Sequence, residues 1–507
     1  MTTVIQAFDP ATGQPTGWVT TETTAEQVAA ACAAADGTAA AVADVPRGQR
    51  ADWLRAMAAQ LEAERSELVS VADRETGLGR TRLDGELTRT CFQLRLFADV
   101  VDEGSFLEVT IDHQADTPMG PRPDLRRMLV PLGPVAVFGA SNFPFAFSVP
   151  GGDTASALAA GCPVVIKAHP SHPQTSQCCF EAMSTALRGA GAPPGLIGLV
   201  HGVTAGEALV TDPRISAVGF TGSEAGGRAL AALAASRPDP IPFYGELSGL
   251  NPVVISPAAA QARGAQIASG LLNSVTLGGG QFCTKPGLAF VPEGAAGNAL
   301  VAELARLVGT AATATALNAG IEAAFRAGTA LMESGTGVTM IGKAIDSCSH
   351  GYRLNPTVLS ISAGQLRERL LEECFGPVTV VVRYTDGDDL LAVIRRLPGS
   401  LTATVHCEPG DESLPSGLPR LLMKKAGRLV WNGFPTGVAV TWAMQHGGPS
   451  PSTTNSLHSS VGPTAIRRFL RPVAWQDAPQ DLLPAELRDD RADVPRRIDG
   501  QAARRRV

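Results

Sequence analysis

At 507 residues the chain is too long for a single hydrophobic core, so two or three domains are expected. A composition of 44% hydrophobic and 18% charged residues is that of a globular protein and excludes a disordered or fibrous chain. A net charge of −6 offers no bulk attraction to nucleic acid or to an anionic membrane surface.

Residues 1–10 lack the basic and apolar regions of a secretion signal. Residues 24–102 read as mostly helical. Thr24-Ala25-Glu26 opens an Ala-rich run, and residues 47–71 place Leu54, Met57, Leu61 and Leu68 at the period of one amphipathic helix. Glu75-Thr76-Gly77-Leu78-Gly79 breaks that pattern, and a second helix is expected over 85–101. Residues 106–112 and 124–130 alternate as strands around the turn-rich Met119-Gly120-Pro121-Arg122-Pro123, which predicts a hairpin arm.

From Gly133 the pattern changes to strand–turn–helix units. Short apolar strands are expected at 135–139, 164–166, 199–200 and 217–220, with helices at 155–160 and 175–189. Such alternation implies a mostly parallel sheet covered on both faces, with ligands at the carboxyl ends of its strands. A second α/β stretch spans 252–435, with strands at 253–255, 289–291, 378–382 and 429–431. Residues 466–475 form a last strand candidate, able to return to the arm. The proline-broken stretch 476–507 shows no core of its own, and its tip, Arg504-Arg505-Arg506, reads as a frayed basic end. No run reaches about 18 uninterrupted apolar residues, so no membrane span is expected and the cytoplasm is the default location.

Gln281-Phe282-Cys283 follows Gly278-Gly279-Gly280. A glycine run permits positive φ and close approach of backbone to a ligand, so Cys283 is a candidate nucleophile with open space around it. The nine cysteines of the chain, an odd count without metal-ligand spacing, otherwise fit free thiols in a reducing compartment and no metal site. Glu246, in Gly245-Glu246-Leu247-Ser248-Gly249, is a candidate base for activating water. Asn142, in Ala140-Ser141-Asn142-Phe143-Pro144 directly after a strand, is a candidate oxyanion donor. Each has an ordinary alternative: a small buried hydrophobe, a surface carboxylate and a turn asparagine. Lys167 closes the Val164-Val165-Ile166 strand, and Gly222-Ser223 stands at a strand–helix junction where a helix N-terminus attracts anions. Glu373 and Phe375 precede another strand.

The ordered set Ser-Asn-Phe-Pro, Val-Val-Ile-Lys, Phe-Thr-Gly-Ser, Gly-Glu-Leu-Ser-Gly, Gly-Gln-Phe-Cys and Glu-Glu-Cys-Phe-Gly-Pro-Val resembles the aldehyde dehydrogenase superfamily across roughly residues 5–475. The resemblance implies an α/β fold: a Rossmann-type nucleotide-binding domain (1–105 and 131–245), an α/β catalytic domain (246–440), a β-strand oligomerisation arm (106–130 and 455–475) and a C-terminal tail (476–507). It implies Cys283 as nucleophile, Glu246 as general base, and Asn142 with the Cys283 N–H as oxyanion hole. It further implies Lys167 and Glu373 as ribose contacts, Phe375 beside the nicotinamide, and Gly222-Ser223 at the pyrophosphate. The expected reaction is NAD(P)-dependent oxidation of an aldehyde to a carboxylic acid through a cysteine thioester. A homodimer or homotetramer is expected from the arm.

Many superfamily members carry a glutamate three residues after the strand-end lysine, where it repels a 2′-phosphate. Here that position is Pro170, which favours NADP while leaving NAD possible. His169 and His172 are candidates for the phosphate, against a reading as solvated loop histidines. The late segment Ala443-Met444-Gln445-His446-Gly447-Gly448-Pro449-Ser450-Pro451-Ser452-Thr453-Thr454 replaces a common Gly-Gly-x-Lys-x-Ser-Gly pattern. With Glu75-Thr76-Gly77-Leu78, Gly85-Glu86-Leu87-Thr88-Arg89-Thr90 and Gln281-Phe282-Cys283-Thr284 it resembles the subgroup of α-ketoglutarate semialdehyde (2,5-dioxovalerate) dehydrogenases, which also holds NADP-linked fatty aldehyde dehydrogenases. The favoured reaction is 2,5-dioxopentanoate to 2-oxoglutarate. A long-chain fatty aldehyde is the alternative substrate. A coenzyme A-acylating variant and a non-catalytic relative of the fold are further readings, opposed by Glu246 and by the joint presence of Cys283, Glu246 and Asn142. Arg89, Gln93, Ser452 and Thr454 are candidates for a distal carboxylate of the substrate, and Phe143 and Phe147 for the pocket wall.

Overall fold

A computed structural model describes residues 3–247, 249–345, 350–491 and 493–503. Ser248 of the Gly-Glu-Leu-Ser-Gly motif and the Arg504–Arg506 tip lie outside the described residues.

The first sheet has five parallel strands in the order Phe243–Glu246, Ala217–Thr221, Val135–Phe138, Val164–Lys167 and Ile197–Val200. Val135–Phe138 is buried at every position, as a strand covered on both faces must be, which is why its sequence is continuously apolar. The chain runs outward from this strand through Val164–Lys167, then returns to its other side at Ala217–Thr221. That reversal opens a crevice at the carboxyl ends. Glu246, Gly222, Asn142 and Lys167 all stand at or just beyond such ends.

The second sheet has seven strands, ordered Thr339–Lys343, Thr357–Ser362, Val378–Tyr384, Leu288–Pro292, Val253–Ile255, Ser400–His406 and Ala426–Trp431. All pairings are parallel except that of the edge strand Thr339–Lys343. The helix Pro257–Thr276 packs on one face and delivers the chain to the Gly278–Gly280 bend. Among the described residues no helix is long and apolar enough to cross a membrane.

The strand Leu470–Gln476 pairs antiparallel with Leu125–Pro131, which joins the last strand candidate to the arm as expected. Several local expectations need correction. Residues 105–107 form a 3-10 turn and the strand is confined to Thr110–Asp112, because Glu108 takes a left-handed φ of 50°. Residues 463–469 are likewise 3-10, so the later strand starts at Leu470. The single helix expected over 47–71 is two, Arg47–Ala63 and Arg65–Thr76, broken at Glu64. The second helix is longer than expected, Arg80–Glu103, and is flanked by Gly79 and Gly104, both at positive φ. The tail, coreless by itself, buries Leu483, Leu487 and Val494 in the core beneath the first sheet. Arg126 pins the tail by donating to the Leu487 carbonyl and to Asp489, both at 2.7 Å.

Candidate active site

Gly278, Gly279 and Gly280 adopt φ of 56°, 70° and 68°, three successive left-handed residues that side chains would resist. A Cβ on Gly280 would lie 2.4 Å from the carbonyl carbon of Gly376. The bend is therefore pressed backbone to backbone against the 373–377 loop. This corrects the expectation that the glycines leave room for ligands: they make room for protein. Gln281, fully buried, fixes the far side of the bend by donating to the Thr315 carbonyl and accepting from the Leu317 N–H, both at 3.0 Å. Asn251 Nδ2 donates to the Cys283 carbonyl at 2.8 Å. The thiol is thus carried on a braced loop and is partly exposed to the crevice.

Cys283 Sγ lies 3.6 Å from His446 Nε2, and the same nitrogen lies 3.2 Å from Glu246 Oε2. Ligand atoms of the three residues all fall within 4.8 Å of one another. Ser460 donates to Glu246 Oε2 at 3.1 Å, while Glu246 Oε1 is buried without a hydrogen-bond partner among the described residues. Burial pushes the Cys283 thiol well above its ordinary pKa, and the adjacent Glu246 charge adds to this. The resting group is a thiol and needs a proton acceptor to become a nucleophile. Burial also works to raise Glu246, but His446 and the hydrogen bonds from His446, Cys283 and Ser460 outweigh it and hold the carboxyl below its usual range.

Asn142 Nδ2 donates one proton to the Gln281 carbonyl at 2.8 Å and lines the crevice with Cys283. Gly222, Ser223, Glu373 and Phe375 line the same cleft, of about 360 Å³. Ser223 caps the helix Glu224–Ala235 by accepting from the Gly226 N–H. Glu373 Oε1 is buried and partnerless, and burial raises its carboxyl to about 8. Lys285, 2% exposed, holds this loop by donating to the carbonyls of Cys374 at 3.1 Å and Val378 at 2.8 Å. Lys167 ends its strand without lining the cleft itself, though its charge acts on His169, which does; burial lowers its ammonium to about 8. His172 is fully buried against the Ala140 carbonyl, so it neither faces a phosphate nor sits in a solvated loop. His169 does line the cleft and is likewise no solvated histidine: burial drives its pKa well below the ordinary value.

Cys283 and Asn142 line one cleft, while the Glu246 carboxylate lies beside the thiol from a separate small pocket that it lines with His446 and Ser460. The aldehyde dehydrogenase family profile matches residues 1–472. The chain belongs to the aldehyde dehydrogenase family. It is 45% identical over 507 residues to alpha-ketoglutaric semialdehyde dehydrogenase 2 of Azospirillum brasilense, covering 98% of this chain and 96% of that protein. It is 42% identical over 493 residues to alpha-ketoglutaric semialdehyde dehydrogenase of Acinetobacter baylyi, covering 96% and 93%. Among solved structures, a putative aldehyde dehydrogenase from Burkholderia cenocepacia superposes with a TM-score of 0.79 at 23% identity, covering 94% of this chain and 97% of that one. The NAD+ complex of an aldehyde dehydrogenase from Bacillus cereus gives 0.79 at 20% identity, covering 93% of each. These two likenesses establish the fold. As a family member the chain is an oxidoreductase acting on aldehydes.

Sequence reasoning about this aldehyde dehydrogenase passed over His446, Ser460, Asn251 and Lys285. His446 stood inside a segment singled out for departing from the usual pattern, and a titratable ring there was the available signal. Nothing local marks the other residues, whose partners are tertiary.

Proposed function

We propose that this aldehyde dehydrogenase oxidises 2,5-dioxopentanoate to 2-oxoglutarate, with NADP preferred over NAD. The observation that carries the substrate is the 45% identity, over 98% of the chain, to a relative named for that semialdehyde. NADP is supported by Pro170 at the position where a carboxylate would repel a 2′-phosphate, and by His169 in the cleft nearby.

The residues suit a dinucleotide. Glu373 offers an unpaired buried oxygen for a ribose hydroxyl, Ser223 and Gly222 present a helix N-terminus to a pyrophosphate, and Lys167 offers an ammonium at a strand end. Bound there, the cofactor supplies a hydride acceptor. The protein's own groups do the rest. Cys283 Sγ attacks the aldehyde carbon as its proton passes to His446 Nε2, and the Glu246 carboxylate faces the imidazolium so formed. The second Nδ2 proton of Asn142 and the Cys283 N–H donate to the oxyanion. After oxidation leaves a thioester on Cys283, Glu246 Oε1 takes a proton from water. The resulting hydroxide adds to the acyl carbon, and the acid leaves with the thiolate restored.

The five-stranded sheet serves as the nucleotide-binding domain and the seven-stranded sheet as the catalytic domain. The edge strands Leu470–Gln476 and Ala426–Trp431 are open to pairing with a second copy in a homodimer or homotetramer, which light scattering measures. The deciding experiment compares kcat/KM for 2,5-dioxopentanoate and a long-chain aldehyde, each with NAD and NADP and without coenzyme A. A preference for the long-chain aldehyde overturns the substrate reading, and equal use of NAD overturns the cofactor reading.

A further inference from the structure

Helix Arg80–Glu103 places Arg82, Glu86, Arg89 and Gln93 at spacings of three and four residues, so they share one face. Two of them are committed to the oxyanion loop. Glu86 Oε1 accepts from the N–H groups of Phe145 at 2.8 Å and Ala146 at 2.9 Å. Arg82 donates to the Asn142 carbonyl at 2.7 Å and lies over Phe143 and Phe282. Arg89 is not committed. Both terminal nitrogens of its guanidinium are sealed from solvent and have no hydrogen-bond partner among the described residues. Its one ring contact is Phe147, at 5.1 Å. Gln93 Nε2, one turn further on, is buried and partnerless too.

Their position ties them to the reaction. Phe147 stands between Arg89 and His446, 6.2 Å from the His446 ring, and His446 touches Cys283. Burial weighs most on the Arg89 guanidinium, followed by the charge of Glu86 on the same helix face and then by those of Cys283 and Glu246. None of the residues lining the cofactor cleft comes from this helix, so Arg89 approaches the nucleophile from another side.

We propose that Arg89, assisted by Gln93, holds the distal carboxylate of the aldehyde substrate. A guanidinium offers two parallel N–H donors that match a carboxylate, and one whose buried terminal nitrogens lack hydrogen-bond partners among the described residues is stabilised by the anion that fills the place. An alkyl tail in the same position would leave the guanidinium desolvated and unpaired. Arg89 thereby selects short carboxylated aldehydes over long alkyl ones. This rests on the proposed carboxylated substrate.

The test compares wild type, Arg89→Met and Arg89→Lys on 2,5-dioxopentanoate and on pentanal, which has the same length without the acid. Arg89→Met should lower kcat/KM for the acid on the order of a hundredfold, chiefly through KM, and leave pentanal unchanged or improved. Arg89→Lys should recover part of the loss. An equal fall on both aldehydes, or no fall on the acid, overturns the assignment. Glutarate supplies a reading independent of turnover. It should protect Cys283 from iodoacetamide in the wild type and fail to do so in Arg89→Met and, in part, Arg89→Lys; protection unaltered in both variants overturns the assignment. Wild-type silence on 2,5-dioxopentanoate alongside charge-dependent glutarate protection would overturn the substrate reading and leave Arg89 as a carboxylate anchor.

Discussion

In the proposed mechanism Asn142 divides one amide between two tasks, and the two are separable by measurement. One Nδ2 proton goes to the Gln281 carbonyl at 2.8 Å. The other is free for the oxyanion. Asn142→Ala removes both. Loss of an oxyanion donor costs about 3–4 kcal/mol, a fall in kcat of about 10²–10³. Loss of the bond to Gln281 costs about 1 kcal/mol of stability. Spread over a chain of this size, that is a fall in Tm of only about 1–2 °C. Asn142→Asp keeps the shape but sets a carboxylate oxygen against the Gln281 carbonyl, so it should be the less stable variant while losing at least as much activity. The assays are steady-state kinetics under saturating cofactor and a thermal melt. A fall in kcat below tenfold for Asn142→Ala, or a loss carried wholly by KM, would refute the oxyanion role. An Asp variant as stable as wild type would refute the contact geometry.

Three further outcomes follow from the site. Gly280→Ala places a Cβ 2.4 Å from the Gly376 backbone at a φ of 68°, so it should cost at least about 1–2 kcal/mol and shift the 373–377 loop; a melt within about 1 °C of wild type would contradict this. Lys167 and Glu373 both titrate at about 8, in opposite senses for cofactor binding: the lowered ammonium is lost and the raised carboxyl ionises as pH rises through that value. Fluorescence titration with NADPH should therefore show affinity falling above pH 8 in Glu373→Gln and rising in Lys167→Met, and flat profiles in both would refute the two ribose contacts. His446→Ala removes the largest influence holding Glu246 down, so burial should dominate and the acid limb of thioester hydrolysis should move to higher pH; an unmoved limb would exclude His446 from the proton path.

What could be read from the sequence was set by where the information lies. Val135–Phe138 and Val164–Lys167 are buried on both faces and so spell out unbroken apolar runs. Ser400–His406 is buried at every position too, yet reads as Ser-Leu-Thr-Ala-Thr-Val-His, a run interrupted by hydroxyls such as that of Thr402, which donates to Asn251 Oδ1 at 3.1 Å. The break at Glu64 was invisible for the opposite reason: the apolar period of the first helix carries on into the second. In the N-terminal pair Val4–Asp9 and Gln14–Thr21 the second strand alternates exposed and half-buried positions, but its half-buried residues are Thr16, Trp18 and Thr20 while Val19 is exposed, so no apolar period marks it. At the site, Cys283, Glu246 and Asn142 were legible because each stands in a short motif at a strand end or glycine bend. The contact between Cys283 and His446 joins positions 163 residues apart, and only the fold brings them together.

That contact bears on the order of events. His446 Nε2 faces both Cys283 Sγ and Glu246 Oε2, and Nδ1 is buried without a partner, so the ring presents a single working nitrogen to two groups. While Nε2 carries the ring proton it donates to Glu246 Oε2; in the other tautomer, with the proton on Nδ1, the same nitrogen has a lone pair for the thiol proton. Once that proton has moved, Nε2–H turns to Glu246, and the carboxylate balances the new charge. The nitrogen cannot serve both partners in the same instant, which fits a reaction whose covalent half and hydrolytic half are separated in time. In the proposed mechanism Glu246 takes part in both halves because its oxygens are in different states: Oε2 is occupied by His446 and Ser460, whereas Oε1 has no hydrogen-bond partner among the described residues. The departure of segment 443–454 from the common family pattern thus falls where the proposed nucleophile and the proposed base are joined, and the proton path is where this enzyme should differ most from its distant relatives.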